Sequence, residues 1–261
     1  MGLQEMYRVN KSLQGFEVAS KKYTVKLAES REEVEKALRL RFDVFNIELG
    51  EGLQESYINQ MDEDEFDMQC HHLLVIHNDS EEVVGTYRMQ DNDMAEAGNG
   101  FYTMAEFDVS QFPEEIIHDA VELGRACIHR DHRNGRVLFL LWRGLAKYLV
   151  MSKKNHLFGC CSLTSQDPNI GLQTFIHLQK NGYMHPDFIL PVSEEYECLS
   201  LADEDYAEED ISIPQLFRLY LEQKCKVCSP PALDRTFKTI DFLILLNIND
   251  LSEHQRTLFF H

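Results

Sequence analysis

Basic residues are scarce in this sequence, and their scarcity limits what the protein can bind. The chain of 261 residues has 25 Lys and Arg against 44 Asp and Glu, which gives a formal net charge of −19. Contacts to phosphate groups dominate the affinity of proteins for nucleic acids. We therefore expect no nucleic acid partner.

Long apolar runs are also missing. The longest candidates are VLFLLW at 137–142 and FLILLNI at 242–248, well short of the roughly 18 apolar residues of a transmembrane helix. The N-terminus lacks the basic start, the apolar run and the small-residue cleavage site of a signal peptide. The sequence therefore predicts a cytoplasmic protein.

Cysteines with an informative spacing are absent too. The seven cysteines are an odd number and are widely scattered, which indicates free thiols in a reducing compartment. The motif CKVC at 225–228 has no second pair and no His at finger spacing, so packed thiols near a helix end are expected there. His71, His72 and His129 show no ligand spacing, and the sequence predicts no metal.

The charges that are present are unevenly distributed. Residues 125–154 contain eight Lys and Arg and one acid, Asp131, a local balance of +7. Residues 194–210 contain nine acids and no Lys or Arg, which is typical of a solvated loop. The basic region is either a solvated helix face or a surface for an anionic partner.

Hydrophobic periodicity predicts an α+β (mixed α/β) fold. SREE at 30–33 is a capping box, and apolar residues at helical spacing follow it to about Leu49. The predicted strands lie at 71–77, 82–90, 120–129, 156–163 and 238–248, and the later helices at 135–154, 167–183 and 213–226. No clean linker is visible, so we expect a single domain over 1–261, with a core of about 22–192 and a C-terminal extension of about 211–250 packed on it.

Seven ordered sequence blocks lie within roughly residues 38–248: RFDVFNIELG, DEFDMQCHHLLVIH, VVGTYRM, FYTMAEFD, VELGRACIHRDHRNGRVLFLLWRGLAKYL, FGCCSLTSQDP and PPALDRTFKTIDFLIL. In these blocks the chain resembles the bacterial N-acyltransferases of the GNAT superfamily that depend on acyl carrier protein. That group includes the ornithine-lipid and glycine-lipid N-acyltransferases and the N-acyl amino acid synthases. The pattern of Arg41, Phe45, DEFD, Arg88 and ELGR is similar, more distantly, to that of N-acyl-homoserine lactone synthases.

This resemblance implies a central, mostly antiparallel sheet flanked by helices. It also implies a reaction in which acyl-phosphopantetheine on acyl carrier protein donates a fatty acyl group to an amino acid such as ornithine or glycine. No further cofactor is implied. The product, an N-acyl amino acid or lyso-aminolipid, implies a transient contact with the cytoplasmic membrane surface. The alternatives are a homoserine-lactone-type signal synthase and a non-catalytic module that binds acyl carriers.

The Trp that lactone synthases carry after the Arg-x-x-x-Phe pair is missing here, and Glu51 lies near its place. This departure makes lactone synthesis less expected than plain amino acid acylation.

Glu122 and Arg125 are the candidate catalytic residues. A carboxylate on a buried strand costs several kcal/mol unless it is paired or neutralised. Residues three apart on a strand point to opposite faces unless a bulge intervenes, and the resemblance implies such a bulge. Glu122 would then remove a proton from the acceptor ammonium, which has no lone pair to attack with. The alternatives are a structural Glu–Arg pair here and Glu106 as the base.

Further charged residues are candidates for the acceptor site. Arg41, Arg88 and Arg125 could clamp a carboxylate through bidentate hydrogen bonds, or they could brace the fold through Asp64 and Asp67. The two aspartates could equally hold a cationic amine.

The resemblance places the donor site at the turn before the long helix and the acyl-chain wall on the first helix. The candidate donor residues bind the pantetheine phosphate or the acidic carrier protein: Arg130, Arg133, Asn134, Gly135 and Arg136. The candidate acyl wall is Phe42, Phe45 and Leu49. Trp142, Phe139, Leu140 and Leu141 are expected to belong to the core.

Overall fold

The computed structural model describes Leu13, residues 15–198 and residues 211–260. Most of the acidic segment 194–210 therefore lies outside the described residues. Two compact units are present: one formed by residues up to 101, 118–155 and 252–260, the other by 102–117 and 156–251 within those limits. In the part of the chain that the structure describes, every helix is too short or too polar to cross a membrane.

Nine strands are present among the described residues. They are β1 (Glu17–Ala19), β2 (Tyr23–Leu27), β3 (His71–His77), β4 (Val83–Asp91), β5 (Ala120–Ile128), β6 (His156–Leu163), β7 (Lys226–Val227), β8 (Ala232–Asp234) and β9 (Thr239–Asn247).

Eight α-helices accompany these strands in the described ranges. They are α1 (Arg31–Arg41), α2 (Ser56–Asn59), α3 (Asn92–Ala97), α4 (Glu114–Ile117), α5 (Arg136–Ser152), α6 (Pro168–Lys180), α7 (Gln215–Glu222) and α8 (Glu253–Phe260). A π-helix, Phe42–Glu48, continues α1. Short 3₁₀ turns lie at Tyr102–Ala105, Val109–Gln111, Arg130–His132, Glu194–Tyr196 and Ile248–Asp250.

The first unit is an antiparallel sheet in which β1 to β5 pair in chain order. Leu74 of β3 packs with Val34, Ala37 and Leu38 of α1. Its neighbour Leu73 points to the other face and meets α5 at Gly144. The helices α1 and α5 therefore cover opposite faces of this sheet.

The second unit is built around β9, which pairs antiparallel with β6 along the full length of β6 and also with β7 and β8. Asp167 caps α6, and its side chain accepts a hydrogen bond from the Asn169 N–H. Cys225 and Cys228 are buried free thiols that follow α7, as expected from the sequence.

The mixed α/β fold with a mostly antiparallel sheet flanked by helices is confirmed. Most predicted elements agree with the structure to within a few residues. The predicted helix at 30–49 differs, because the α-helical hydrogen bonding ends at Arg41. The predicted helix at 213–226 is too long, because Lys226 and Val227 pair with β9 as a strand. The single-domain assignment, with its C-terminal extension, stays a prediction.

Candidate active site

A β-bulge lies in β5 beside the two candidate catalytic residues. Arg88 of β4 pairs with Gly124 and Thr86 pairs with Cys127, so two residues of β5 face one of β4. Arg125 lies in the bulge with a left-handed φ of 49°, a conformation that a non-glycine residue adopts rarely. The bulge that the resemblance implied is therefore present, and it lets the Glu122 and Arg125 side chains share one face of the sheet.

Arg41 is fully buried beneath this strand at 0% exposure. Its Nε donates to Asp62 Oδ2 at 2.8 Å, and its Nη2 donates to Asp67 Oδ2 at 3.2 Å. Its Nη1 also binds Asp67 Oδ1. The guanidinium is thus held on three sides by aspartates of the chain itself.

Arg88 and Arg125 extend this network towards β5. Arg88 Nη1 donates to Asp64 Oδ1 and, at 3.1 Å, to Asp67 Oδ1. Arg125 Nη2 donates to Asp64 Oδ2 at 3.1 Å, and its Nε lies 3.5 Å from Asp62 Oδ2. Three arginines and three aspartates therefore balance one another in a buried cluster.

The protonation states within the cluster follow from its charges. Burial alone would raise the pKa of Asp67, but the guanidinium groups of Arg41 and Arg88 outweigh burial and lower it. The pKa of Asp64 is lowered in the same way, with Arg88 opposing burial. Burial lowers the pKa of His72 to about 4. Asp64 and Asp67 therefore stay ionised and His72 stays neutral at physiological pH.

This geometry favours the bracing alternative for Arg41, Arg88, Asp64 and Asp67 over direct contact with the acceptor. Their predicted role in acceptor binding stays a prediction. A bracing cluster has a clear consequence for the site, because Arg125 is anchored to it from within the bulge of β5.

Glu122 lies opposite Gln90 on the neighbouring strand and is buried at 5% exposure. Gln90 Nε2 donates to Glu122 Oε2 at 2.6 Å. The burial of a carboxylate that the sequence analysis found unusual is therefore compensated in part by a side-chain amide.

The donor turn lies at the start of α5. Gly135 caps this helix with a left-handed φ of 79°, and Asn134 Oδ1 accepts from the Arg136 N–H at 3.1 Å. Arg136 and Arg130 are exposed. Arg133 is engaged within the chain, because its Nε donates to the Ile128 carbonyl and its guanidinium pairs with Glu48.

The π-helix carries the residues predicted to form the acyl wall. Phe42 is buried and makes an edge contact with Tyr57 at 5.3 Å. Phe45 packs against Leu40, Val44 and Cys127. Leu49 is 42% exposed. Trp142 and Phe139 are partly buried, and both pack against Phe259 of α8.

Glu106, the alternative base, belongs to the second unit. It is buried, and its Oε2 lies 4.0 Å from Cys160 Sγ. Ligand-type atoms of Glu106, Cys160 and Asp241 lie within 4.8 Å of one another. Burial raises the pKa of Asp241 to about 6. The sequence expectation of no metal stays a prediction.

A family model described as an acetyltransferase (GNAT) domain matches residues 40–143. The chain is 29% identical over 246 residues to an L-ornithine N(alpha)-acyltransferase of Rhodobacter capsulatus, covering 91% of this chain and 94% of the relative. It is 30% identical over 239 residues to the enzyme of that name from Brucella abortus, covering 87% of this chain and 85% of the relative.

The chain belongs to the L-ornithine N(alpha)-acyltransferase family. It is an N-acyltransferase of the GNAT type. Among solved structures, the acyltransferase is similar to the AHL synthase LasI, with a TM-score of 0.48, 13% identity and coverage of 91% of this chain and 94% of that one.

Sequence reasoning missed two residues of this acyltransferase's candidate site. Asp62 was seen only as part of an acidic loop, although it binds Arg41. Gln90 was not singled out, although it faces Glu122. The period of β4 places Gln90 two residues from Arg88 on one face of the strand, which is the signal that could have found it.

Proposed function

We propose that this acyltransferase transfers a fatty acyl group from acyl carrier protein to the α-amino group of ornithine. The relatives of 29% and 30% identity that cover most of the chain are named for that acceptor and that nitrogen. The observation that carries the proposal is Glu122, a buried carboxylate on the bulged strand β5 that accepts a hydrogen bond from Gln90.

In the proposed reaction Glu122 takes a proton from the acceptor ammonium, directly or through a water. The freed nitrogen attacks the thioester carbonyl carbon, and a C–N bond forms. The tetrahedral intermediate collapses as the C–S bond breaks. The phosphopantetheine thiolate leaves and takes up the second amine proton, so the products are an amide and a thiol.

The buried thiols near the site support direct attack without an acyl-enzyme. Burial raises the pKa of Cys127 to about 12, and burial also raises the pKa of Cys70 well above its usual range. A thiol nucleophile reacts as its thiolate. These two cysteines are therefore poor nucleophiles at physiological pH.

The donor turn supports a phosphopantetheine donor carried by an acidic protein. The N-terminus of α5 presents backbone N–H groups to one phosphate. Arg130 and Arg136 are exposed around it, where they would face the acidic surface of the carrier. Coenzyme A, which brings a diphosphate and adenosine, is the competing donor.

The proposed product is a lipid, and the surface near the acyl wall has apolar residues that suit a transient contact with a membrane. Ile47 is 61% exposed and Ile58 is 88% exposed. Aliphatic side chains at this level of exposure can enter the interface of a bilayer. These residues support the proposal that the enzyme contacts the cytoplasmic face of the membrane transiently.

The experiment is the turnover of Glu122→Gln with acyl carrier protein and ornithine. We expect a fall of roughly 100-fold or more with an unchanged fold, the scale of losing an acid–base group. Circular dichroism and thermal melting serve as the folding control. Turnover within a fewfold of the parent near neutral pH would contradict the role of Glu122 and direct attention to Glu106.

A further inference from the structure

A chain of side-chain amides runs from a backbone N–H to Glu122. The Asn99 N–H donates to Gln69 Oε1 at 2.7 Å. Gln69 Nε2 donates to Gln90 Oε1 at 2.6 Å, and Gln90 Nε2 donates to Glu122 Oε2 at 2.6 Å. Both amide nitrogens also donate to the carbonyl of Gly100, at 2.9 and 3.2 Å.

The direction of this chain is fixed by chemistry rather than by the assignment of amide atoms. A backbone N–H can only donate, so the atom of Gln69 that faces Asn99 must be its oxygen. The Gln69 nitrogen then faces Gln90 Oε1, and the Gln90 nitrogen faces Glu122. The Gly100 carbonyl can only accept, and it imposes the same orientation on both amides.

The local backbone is shaped for the first of these amides. A Cβ atom at residue 98 would lie 2.3 Å from Gln69 Oε1, so glycine at this position lets the Gln69 side chain pass. Gly100 has a left-handed φ of 84°, which glycine adopts without strain. The segment that follows α3 therefore supplies both the N–H and the carbonyl that hold the two glutamines.

We propose that Gln90 is the positioning residue of the base Glu122, with Gln69 holding Gln90 in its donating orientation; this inference rests on the proposed function. The hydrogen bond to an ionised carboxylate is charge-assisted and fixes the plane of that carboxylate. An amide cannot pass protons along the chain. The two glutamines therefore orient Glu122, and the proton that Glu122 takes from the substrate stays on Glu122.

Three substitutions test the positioning role of Gln90 and Gln69 against a matched control. Gln90→Leu removes the donor at similar size, and Gln90→Glu replaces it with a second carboxyl group facing Glu122. Gln69→Leu leaves Gln90 in place and removes one of the contacts that orient its amide, so that the Gly100 carbonyl alone opposes its rotation. Gln179→Leu on the exposed side of α6 is the control, because the same change is made at an exposed surface position. For each protein, kcat, KM for both substrates, the pH profile of kcat/KM and the melting temperature are measured.

We expect Gln90→Leu to lower kcat roughly 10- to 100-fold, which is less than the roughly 100-fold or more for losing the base itself, with KM changed less than threefold. The acid limb of the pH profile of kcat/KM moves to higher pH, because losing a hydrogen-bond donor disfavours the charged form of a buried carboxylate. Gln90→Glu lowers kcat further, because the new carboxyl group at position 90 and that of Glu122 would share a proton. Gln69→Leu shows a smaller change in the same direction, and Gln179→Leu behaves as the parent.

A purely structural role would lower the melting temperature without moving the pH profile, and that result would overturn the proposal. Gln69→Leu keeps the test decisive if a Gln90 variant does not fold. Glu122→Gln is measured in parallel. If it is inactive while Gln90→Leu keeps the parental rate and profile, only the positioning role is wrong. If it is active, the base assignment fails first and the positioning role with it.

Discussion

Arg41 shows most clearly how single residues hold this site together. It is completely buried, yet its charge is matched by Asp62 and Asp67. A buried ion pair contributes little net stability relative to an apolar pair, but removing one partner leaves an uncompensated charge. The cluster therefore makes the fold of the site intolerant of single changes.

We predict that Arg41→Met lowers the free energy of unfolding by roughly 3–5 kcal/mol, the usual effect of breaking a buried pair. Arg39→Met is the matched control, because Arg39 lies two residues earlier on α1 and is exposed. Urea denaturation at pH 7 measures both. Equal small effects of the two substitutions would contradict the bracing role.

His72 gives the network a pH dependence. Its pKa is lowered to about 4 by burial, whereas an unfolded histidine titrates near 6.5. Between these values the unfolded chain binds more protons than the folded one, so stability falls as the pH falls. We predict a loss of roughly 3 kcal/mol from this residue alone as the pH approaches 4.

His72→Gln should abolish the part of this loss of stability that His72 causes between pH 7 and pH 5. The lowered pKa values of Asp64 and Asp67 act in a separate window, since their stabilisation is lost only below about pH 4. Denaturant unfolding at several pH values separates the contribution of His72 from that of Asp64 and Asp67. A parental slope between pH 7 and pH 5 in the variant would show that His72 is not the group involved.

Glu122 and Arg125 were predicted from the sequence because both lie in the ELGR block, and the family resemblance implied the bulge; the catalytic roles of the two residues stay predictions. Asp62 and Gln90 were missed for a physical reason. The loop DEDEFD offers five carboxylates within six residues, and only packing decides which of them turn inward. The period of β4 places Gln90 on the same face as Arg88, but its partners Gln69 and Glu122 lie 21 and 32 positions away, and the local sequence does not show that pairing.

Among the elements, α5 packs closely against the sheet. A Cβ at Gly144 would lie 2.8 Å from Leu73 Cδ2 and 3.0 Å from Val25 Cγ1, which fixes the middle of α5 against β2 and β3. A Cβ at Gly85 of β4 would lie 2.8 Å from Val137 Cγ1, so the first turn of α5, next to the donor turn, lies close to β4.

We predict that Gly144→Ala lowers the free energy of unfolding by about 1–3 kcal/mol, the cost of overpacking a core. Gly124→Ala is the control, since a Cβ there meets nothing within 4 Å. Thermal melting of both variants checks this. If the Gly144→Ala variant is more stable than the parent, the sheet shifts to make room for the added methyl group, and the gain in α-helix propensity exceeds the cost of overpacking.

Element boundaries were predictable where hydrophobic periodicity decides them. The strands β3, β5 and β6 and the helix α5 follow from their apolar patterns and their turns. The π-helix did not follow, because Val44, Phe45 and Leu49 continue the apolar spacing of α1 while the hydrogen bond from the Leu49 N–H reaches back to Val44. π-Helical turns are rare and often lie at functional sites.

At the scale of the whole molecule, an acidic protein presents a basic region around the start of α5. Rim charges of this kind set the encounter rate and its salt dependence more than the affinity of the bound state. Exposed charges are screened beyond a Debye length of about 8 Å at physiological salt. The basic region should therefore affect the KM for a protein donor, and it should have little effect on the KM for a small thioester donor.

We predict that Arg136→Glu raises the KM for acyl carrier protein severalfold and weakens its salt dependence, while a small pantetheine thioester is affected little. Arg130→Glu should add to the effect. Arg133 is unsuitable for this test because it also binds Glu48. Lys153→Glu is the control, since Lys153 is exposed at the far end of α5, about 25 Å away. Equal losses with both donors would instead mean that Arg136 binds the phosphate or supports the helix start.

The most direct test of the central claim is the mass spectrum of the product formed by the purified protein from fatty acyl carrier protein and ornithine. The account predicts an amide of ornithine acylated on the α-nitrogen, formed with stoichiometric release of carrier thiol and absent with Glu122→Gln. Free fatty acid without an amide, or no consumption of the thioester, would contradict it.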